Sequence, residues 1–128
     1  MKISFRWVSV LDQMTPICES DSLKSNGVSP LACLLMDDGG MGYVHAMPWL
    51  DEGLKMAKLV KDGVSDRVRW DRECWGAELA GNMAKISSLY EDNCFEIIEL
   101  NSFNEVLKAW REFVASPKNE AQQTLVAK

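Results

Sequence analysis

Residues 66–100 read DRVRW DRECWGAELA GNMAKISSLY EDNCFEIIEL, and the apolar period in this stretch is two. That period belongs to strands with one buried face. Three strands fit, at about Arg67–Leu79, Met83–Tyr90 and Cys94–Leu100. Gly81-Asn82 supplies the first turn and Glu91-Asp92-Asn93 the second. Turns this short join antiparallel neighbours, so the stretch is expected to fold as consecutive hairpins. The first strand is long and holds Gly76 in its interior, which predicts a bulge or bend there.

Outward toward the C-terminus, the pattern changes to a helix. Ser102-Phe103-Asn104-Glu105 has the form of a capping box, in which the Ser oxygen accepts a backbone N–H and the Glu reaches back. Phe103, Val106, Leu107, Trp110, Phe113 and Val114 then recur at helical spacing, and Ser116-Pro117 closes the element. Burying that stripe on a sheet contributes roughly 1.5–3 kcal/mol per large side chain before chain entropy is counted. The polar tail over residues 118–128 carries no stripe and is expected to fray.

Outward toward the N-terminus, Pro48 is placed as the first residue of a helix running to about Lys61, with Leu50, Leu54, Ala57 and Val60 on one face and Gly63 beyond its end. Asp51 and Glu52 would then sit in its first turn, complementing the helix dipole. Gly39-Gly40-Met41-Gly42 reads as a flexible turn; it lacks the Gly-Lys-Ser/Thr ending of a phosphate loop. Ser29-Pro30 looks like a helix start, with Ser as N-cap and Pro at the first helical position. Residues 31–36 could be that helix or a buried strand, since periodicity does not decide at this length. Asp12–Gly27 reads as a loop, and Ile3–Leu11 as a strand with one buried face. The expectation is an α+β fold: an antiparallel sheet of about four strands with helices packed mainly on one face. A single domain would cover residues 1–117, with residues 118–128 as its tail.

The chain has 128 residues, 47% of them hydrophobic and 26% charged, which suits one self-sufficient globular domain. Its net charge is −5, from 19 acidic and 14 basic side chains. That balance argues against nucleic acid and against an anionic membrane surface as partners, because both are bound through Lys and Arg. It permits a basic protein partner, although mild acidity also serves solubility alone. No run reaches the roughly 18 apolar residues of a membrane span. The start, Met1-Lys2-Ile3-Ser4-Phe5-Arg6-Trp7, lacks the apolar core and cleavage site of a signal peptide. A cytoplasmic protein is expected, and in that compartment Cys18, Cys33, Cys74 and Cys94 are expected as free thiols. They form no Cys-x-x-Cys pair, so neither a metal site nor a cofactor is expected.

Residues for catalysis are sparse. His45 is the single histidine and has no local nucleophile motif around it. Asp37-Asp38, Asp51-Glu52 and Glu91-Asp92 are adjacent carboxylates of the kind that solvate turns and cap helices. The most informative ribbon is Trp70–Glu78. On one continuous strand Trp70, Arg72 and Cys74 would share one face, and Asp71, Glu73, Trp75, Ala77 and Leu79 the other. A Trp among acids on an open sheet face fits a binding hot spot; two core indoles with acids along the edge is the plainer alternative.

Trp70-Asp71-Arg72-Glu73-Cys74-Trp75-Gly76-Ala77-Glu78-Leu79, followed by Ser88-Leu89-Tyr90-Glu91-Asp92, Phe95-Glu96-Ile97-Ile98-Glu99-Leu100 and the helix from Phe103 to Trp110, resembles the small immunity proteins encoded beside polymorphic bacterial toxins, including those of contact-dependent growth inhibition. The resemblance covers the C-terminal half. It implies a cytoplasmic protein that binds the incoming toxin domain of a sibling cell and blocks its active site or substrate path. Many such toxins are nucleases, whose basic clefts an acidic inhibitor would match. The partner-binding residues expected on this basis are Asp71, Glu73, Trp75, Glu78, Glu91 and Asp92, in a protein that is not an enzyme. A small enzyme using His45 and a non-toxin adaptor are the alternatives.

Overall fold

A computed structural model gives the structure of residues 1–24, 26–116 and 123–126, the last four as backbone. The chain runs β1 (Lys2–Val10), β2 (Gln13–Ser20), α1 (Pro30–Met36), α2 (Tyr43–Lys61), β3 (Arg67–Asp71), β4 (Trp75–Ala80), β5 (Met83–Ser88), β6 (Phe95–Glu99), α3 (Leu100–Ala115) and β7 (Gln123–Val126). The fold is α+β. Its four-stranded antiparallel sheet, in the order β3-β4-β5-β6, is built from the stretch whose period is two. A second antiparallel sheet, in the order β2-β1-β7, was not expected. The helices form a layer between the two sheets: α1 packs on β2 and on β4 to β6, and α3 on β1 as well as on β5 and β6.

Register decides which side chains enter the core. Trp70 pairs with Ala77, Ala77 with Ile86, and Leu79 with Ala84, so these residues share the inner face; all five are buried. The other face is open and carries Arg67, Arg69, Asp71, Glu78, Lys85 and Ile97. Trp70 is 2% exposed. Its ring stacks on Trp49 at 4.2 Å and meets Phe103 edge-on, and its Nε1–H donates to the Trp49 carbonyl at 3.2 Å. Gly53 of α2 makes this approach possible, because a Cβ there would lie 2.6 Å from the indole. On the far side of the helix layer Phe5 packs against Trp110 and Phe113, and Trp7 against Tyr43 and Phe113.

Several sequence expectations are corrected. Residues 13–20, read as part of a loop, form β2. The β1–β2 turn is Leu11-Asp12, both at positive φ (50° and 65°) and without the Asn or Gly that normally marks such a turn. Pro16 is tolerated because β2 is an edge strand. The long strand over residues 67–79 is two strands, broken at Arg72–Cys74, so Gly76 marks neither bulge nor bend. Helix α2 begins five residues before Pro48, which lies inside it, and Asp51 is therefore well past the first turn, where it pairs with Arg111 of α3 at 2.7 Å. The capping box does not form: β6 runs directly into α3 with Glu99 as N-cap and no side-chain cap bond, and Ser102 is buried inside the helix. The Leu100 N–H instead donates to the Asn82 carbonyl at 2.7 Å. Four tail residues pair with β1 as β7; the rest of the tail expected to fray, residues 118–122 and 127–128, lies outside the described residues.

The start of α1 follows its sequence signal. Ser29 caps it, its Oγ accepting from Ala32 N at 3.2 Å, and Pro30 is the first helical residue. The Leu31 N–H donates to the buried Glu96 carboxylate of β6 at 2.9 Å, and Ser22 Oγ donates to the other carboxylate oxygen at 3.1 Å. With the Cys33 N–H on the Ser29 carbonyl, every N–H of the first turn has a partner.

Candidate protein-docking surface

Three turns meet at one end of the four-stranded sheet: the β3–β4 turn (Arg72–Cys74), the β5–β6 turn (Leu89–Cys94) and the α1–α2 loop (Asp37–Gly42). Their junction is hydrogen-bonded. The Leu89 N–H donates to the Cys74 carbonyl at 2.9 Å, and Tyr90 Oη–H to the Glu73 carbonyl at 3.3 Å. Asp37 Oδ2 accepts from Cys74 N at 2.8 Å and Trp75 N at 3.0 Å, while its Oδ1 accepts from Gly39 N at 3.3 Å. One carboxylate thus ties the loop to the turn. Asp38 closes its own Asx turn on Gly40 N at 2.8 Å.

The surface this makes is acidic. Glu73, Glu91 and Asp92 are exposed and, among the described residues, make no ion pair. Tyr90, 75% exposed, stands among them. The cation within the turns is Arg72, and it is held back: its guanidinium lies 4.0 Å over the Trp49 ring, and its Nε–H donates to the Asp37 carbonyl at 3.4 Å.

The six residues singled out from sequence therefore divide. Glu73, Glu91 and Asp92 come together at this end. Asp71 and Glu78 lie on the open sheet face and are neutralised there: Asp71 pairs with Arg69 at 2.8 Å, and Glu78 with Arg67 at 3.3 Å and Arg69 at 3.4 Å. The Asp71 hydrogen bond, followed by the charges of Asp71 and Glu78, raises the Arg69 pKa despite some opposing desolvation. Trp75 is on the opposite face from Asp71. The hairpin pairs Asp71 with Gly76, so odd and even positions exchange faces between β3 and β4; Trp70 and Trp75 therefore share the inner face, and half-buried Trp75 lines a cleft with Cys33, Met36, Asp37 and Glu73. Asp37, Asp38, Leu89 and Tyr90 belong to this end and were not among the expected contacts. Their signal was only that they flank turns.

His45 is exposed at the start of α2, on the rim of a cavity of about 510 Å³ between β2, the α1–α2 loop and α3. Its ring makes no hydrogen bond or ion pair among the described residues. The four cysteines are free thiols, with Cys18 and Cys94 buried and Cys74 exposed. Burial, then the charges of Glu19 and Cys33, pushes the Cys18 thiol up to about 12; burial, then Cys94 and Asp37, raises Cys33. Among the described residues no cluster of His, Cys, Asp and Glu is placed to hold a metal, and no helix is long and apolar enough to cross a membrane. Comparison of the chain with protein-family models, with curated proteins and with solved structures returns no match to any of the three.

Proposed function

We propose that this protein is an immunity protein: it binds a cognate toxin domain in the cytoplasm and blocks that domain's active site or substrate path, without chemistry, cofactor or metal of its own. The observation that carries the reading is the convergence of Glu73, Glu91 and Asp92 around Tyr90, on two turns joined by the Leu89–Cys74 and Tyr90–Glu73 hydrogen bonds, with Asp37 bracing the Glu73 turn from the α1–α2 loop. Unpaired carboxylates on a rigid support present a fixed negative field at little ordering cost, and an aromatic side chain among them suits a hot spot. A nuclease, whose cleft must be basic to hold phosphates, is the toxin class that such a surface matches best. Nucleic acid and membranes are poor partners for the same surface.

The test is association with the purified product of the adjacent gene, which the immunity reading expects to carry the toxin domain. Changing Glu73, Glu91 and Asp92 together to Lys should lower the association rate about tenfold or more at low ionic strength, with less effect at high salt. Reversing Glu78, already paired on the open face, should change it much less. Equal rates for the triple variant and the wild type would remove this surface from the interface. A wild type that neither binds the toxin domain nor rescues cells expressing it would remove the immunity reading.

A further inference from the structure

The α1–α2 loop is a ridge between two concave surfaces. On one side is the small cleft that leads to Glu73 and Trp75; on the other is the cavity of about 510 Å³. Met36, Asp38 and Gly40 line both, so the acidic end and the cavity form one continuous relief. The cavity walls are largely carbon, from Met14, Pro16, Leu35, Tyr43, Trp110 and Val114. Its polar side chains include Asp38 and His45, and among the described residues no Lys or Arg lines it. Two large apolar side chains of the lining are left in solvent, Met41 at 65% and Val44 at 61% exposed. Beside Gln13, which also lines the cavity, the β1–β2 turn holds Leu11 at 94% exposure and positive φ.

From this geometry we infer that the cavity receives one large apolar side chain presented by a basic segment of the partner protein, with lysines or arginines on either side of it. The volume lies within the range of sites that enclose a ligand group. A carbon-lined hollow ringed by exposed apolar side chains is what a hydrophobic anchor fills, and desolvating that anchor would supply a large share of the affinity. Charge sets the identity of the flanks. Asp38 stands on the shared lip and Glu73 lies beyond it, and the described lining residues include no cation to repel a basic segment. The inference rests on the docking reading above and adds the residue chemistry that the partner must carry.

The test uses the full chain and three fluorescein-labelled peptides followed by anisotropy at low salt: Lys-Lys-Phe-Lys-Lys, the same peptide with Ala in place of Phe, and the same with Glu in place of Lys. The first should bind at least about tenfold more tightly than either control, the effect expected for burying one large apolar side chain. Met41→Lys and Val44→Lys, both at exposed positions, should each weaken it about tenfold. Ile97→Lys on the open sheet face should leave it unchanged. Equal binding of the Phe and Ala peptides would overturn the inference while leaving the acidic docking surface standing. So would binding indifferent to Met41→Lys and Val44→Lys, or no binding by any peptide. Sedimentation showing a dimer that Met41→Lys dissociates would assign the cavity to a second copy of the chain and would also overturn it. The toxin-association experiment above can succeed or fail independently of all these results.

Discussion

Glu96 offers the sharpest quantitative test of how the fold is held together. It is 6% exposed on β6, yet its carboxylate reaches across to the start of α1, accepting from the buried Leu31 N–H at 2.9 Å and from Ser22 Oγ at 3.1 Å. No acid from α1 itself lies in that helix's first turn. Glu96→Ala leaves a buried N–H without its partner. A hydrogen bond to a charged group contributes about 1.5–3 kcal/mol, and favourable placement at a helix N-terminus adds about 0.3–1 kcal/mol. A loss of about 3 kcal/mol is therefore expected. Glu96→Gln keeps an oxygen of the same reach and gives up only the charge, so about 1 kcal/mol is expected. Glu99→Ala, at an exposed N-cap without a side-chain bond, should stay within about 0.5 kcal/mol of wild type. Urea unfolding followed by tryptophan fluorescence reads all three; with a slope near 2 kcal/mol per molar, Glu96→Ala should lower the midpoint by about 1.5 M. The reasoning fails if Glu96→Ala unfolds with the wild type. It fails equally if Gln costs as much as Ala, because the acceptor geometry would then contribute nothing.

Three further outcomes follow from single features. Gly53→Ala gains about 1 kcal/mol of helix propensity but drives a Cβ to 2.6 Å from an indole held by Trp49, so a net loss of about 1–2 kcal/mol in thermal unfolding is expected, and a raised melting temperature would refute the close packing. Replacing Leu11-Asp12 by Asn-Gly relieves two side-chain-bearing residues of positive φ and should add about 1 kcal/mol; no gain would mean that the turn is unstrained. The Cys18 thiol, pushed up to about 12 from 9.0, keeps its proton in the folded chain while the unfolded chain loses it, so its contribution is intact below pH 9 and is lost as pH rises from 9 toward 12. Cys18→Ala should flatten the alkaline loss of stability by up to about 1.4 kcal/mol per pH unit in that window, and parallel curves for the two proteins would refute the burial argument.

The parts of the fold that are legible in the sequence are those whose signals are local. Gly81-Asn82 and Glu91-Asp92-Asn93 carry their turns in their own chemistry, and Ser29-Pro30 carries its cap. What fails does so where tertiary context overrides a local rule. Arg72-Glu73-Cys74 contains no turn former; Asp37 supplies the missing partners by accepting from the backbone at Cys74 and Trp75. Ser102 has the right neighbours for a cap, but the sheet feeds the chain into the helix three residues earlier, at Glu99. Strand β2 contains Pro16 and follows a turn of Leu and Asp, so neither its interior nor its boundary looks like a strand. The surface divides in the same way. Glu73, Glu91 and Asp92 are legible as turn acids, whereas the pairing of Asp71 and Glu78 with arginines depends on strand register, and the face of Trp75 on the length of a turn.

The column formed by Arg72, Trp49 and Trp70 joins the outermost turn to the deepest part of the molecule. Anything that settles against the Arg72–Cys74 turn and shifts the guanidinium changes the electric field on an indole coupled to its neighbour by stacking. Such a shift would make the stacked pair an optical gauge of occupancy. Its ultraviolet circular dichroism and emission should respond to a docking event with no label attached, and the Arg72→Lys variant should mute that response.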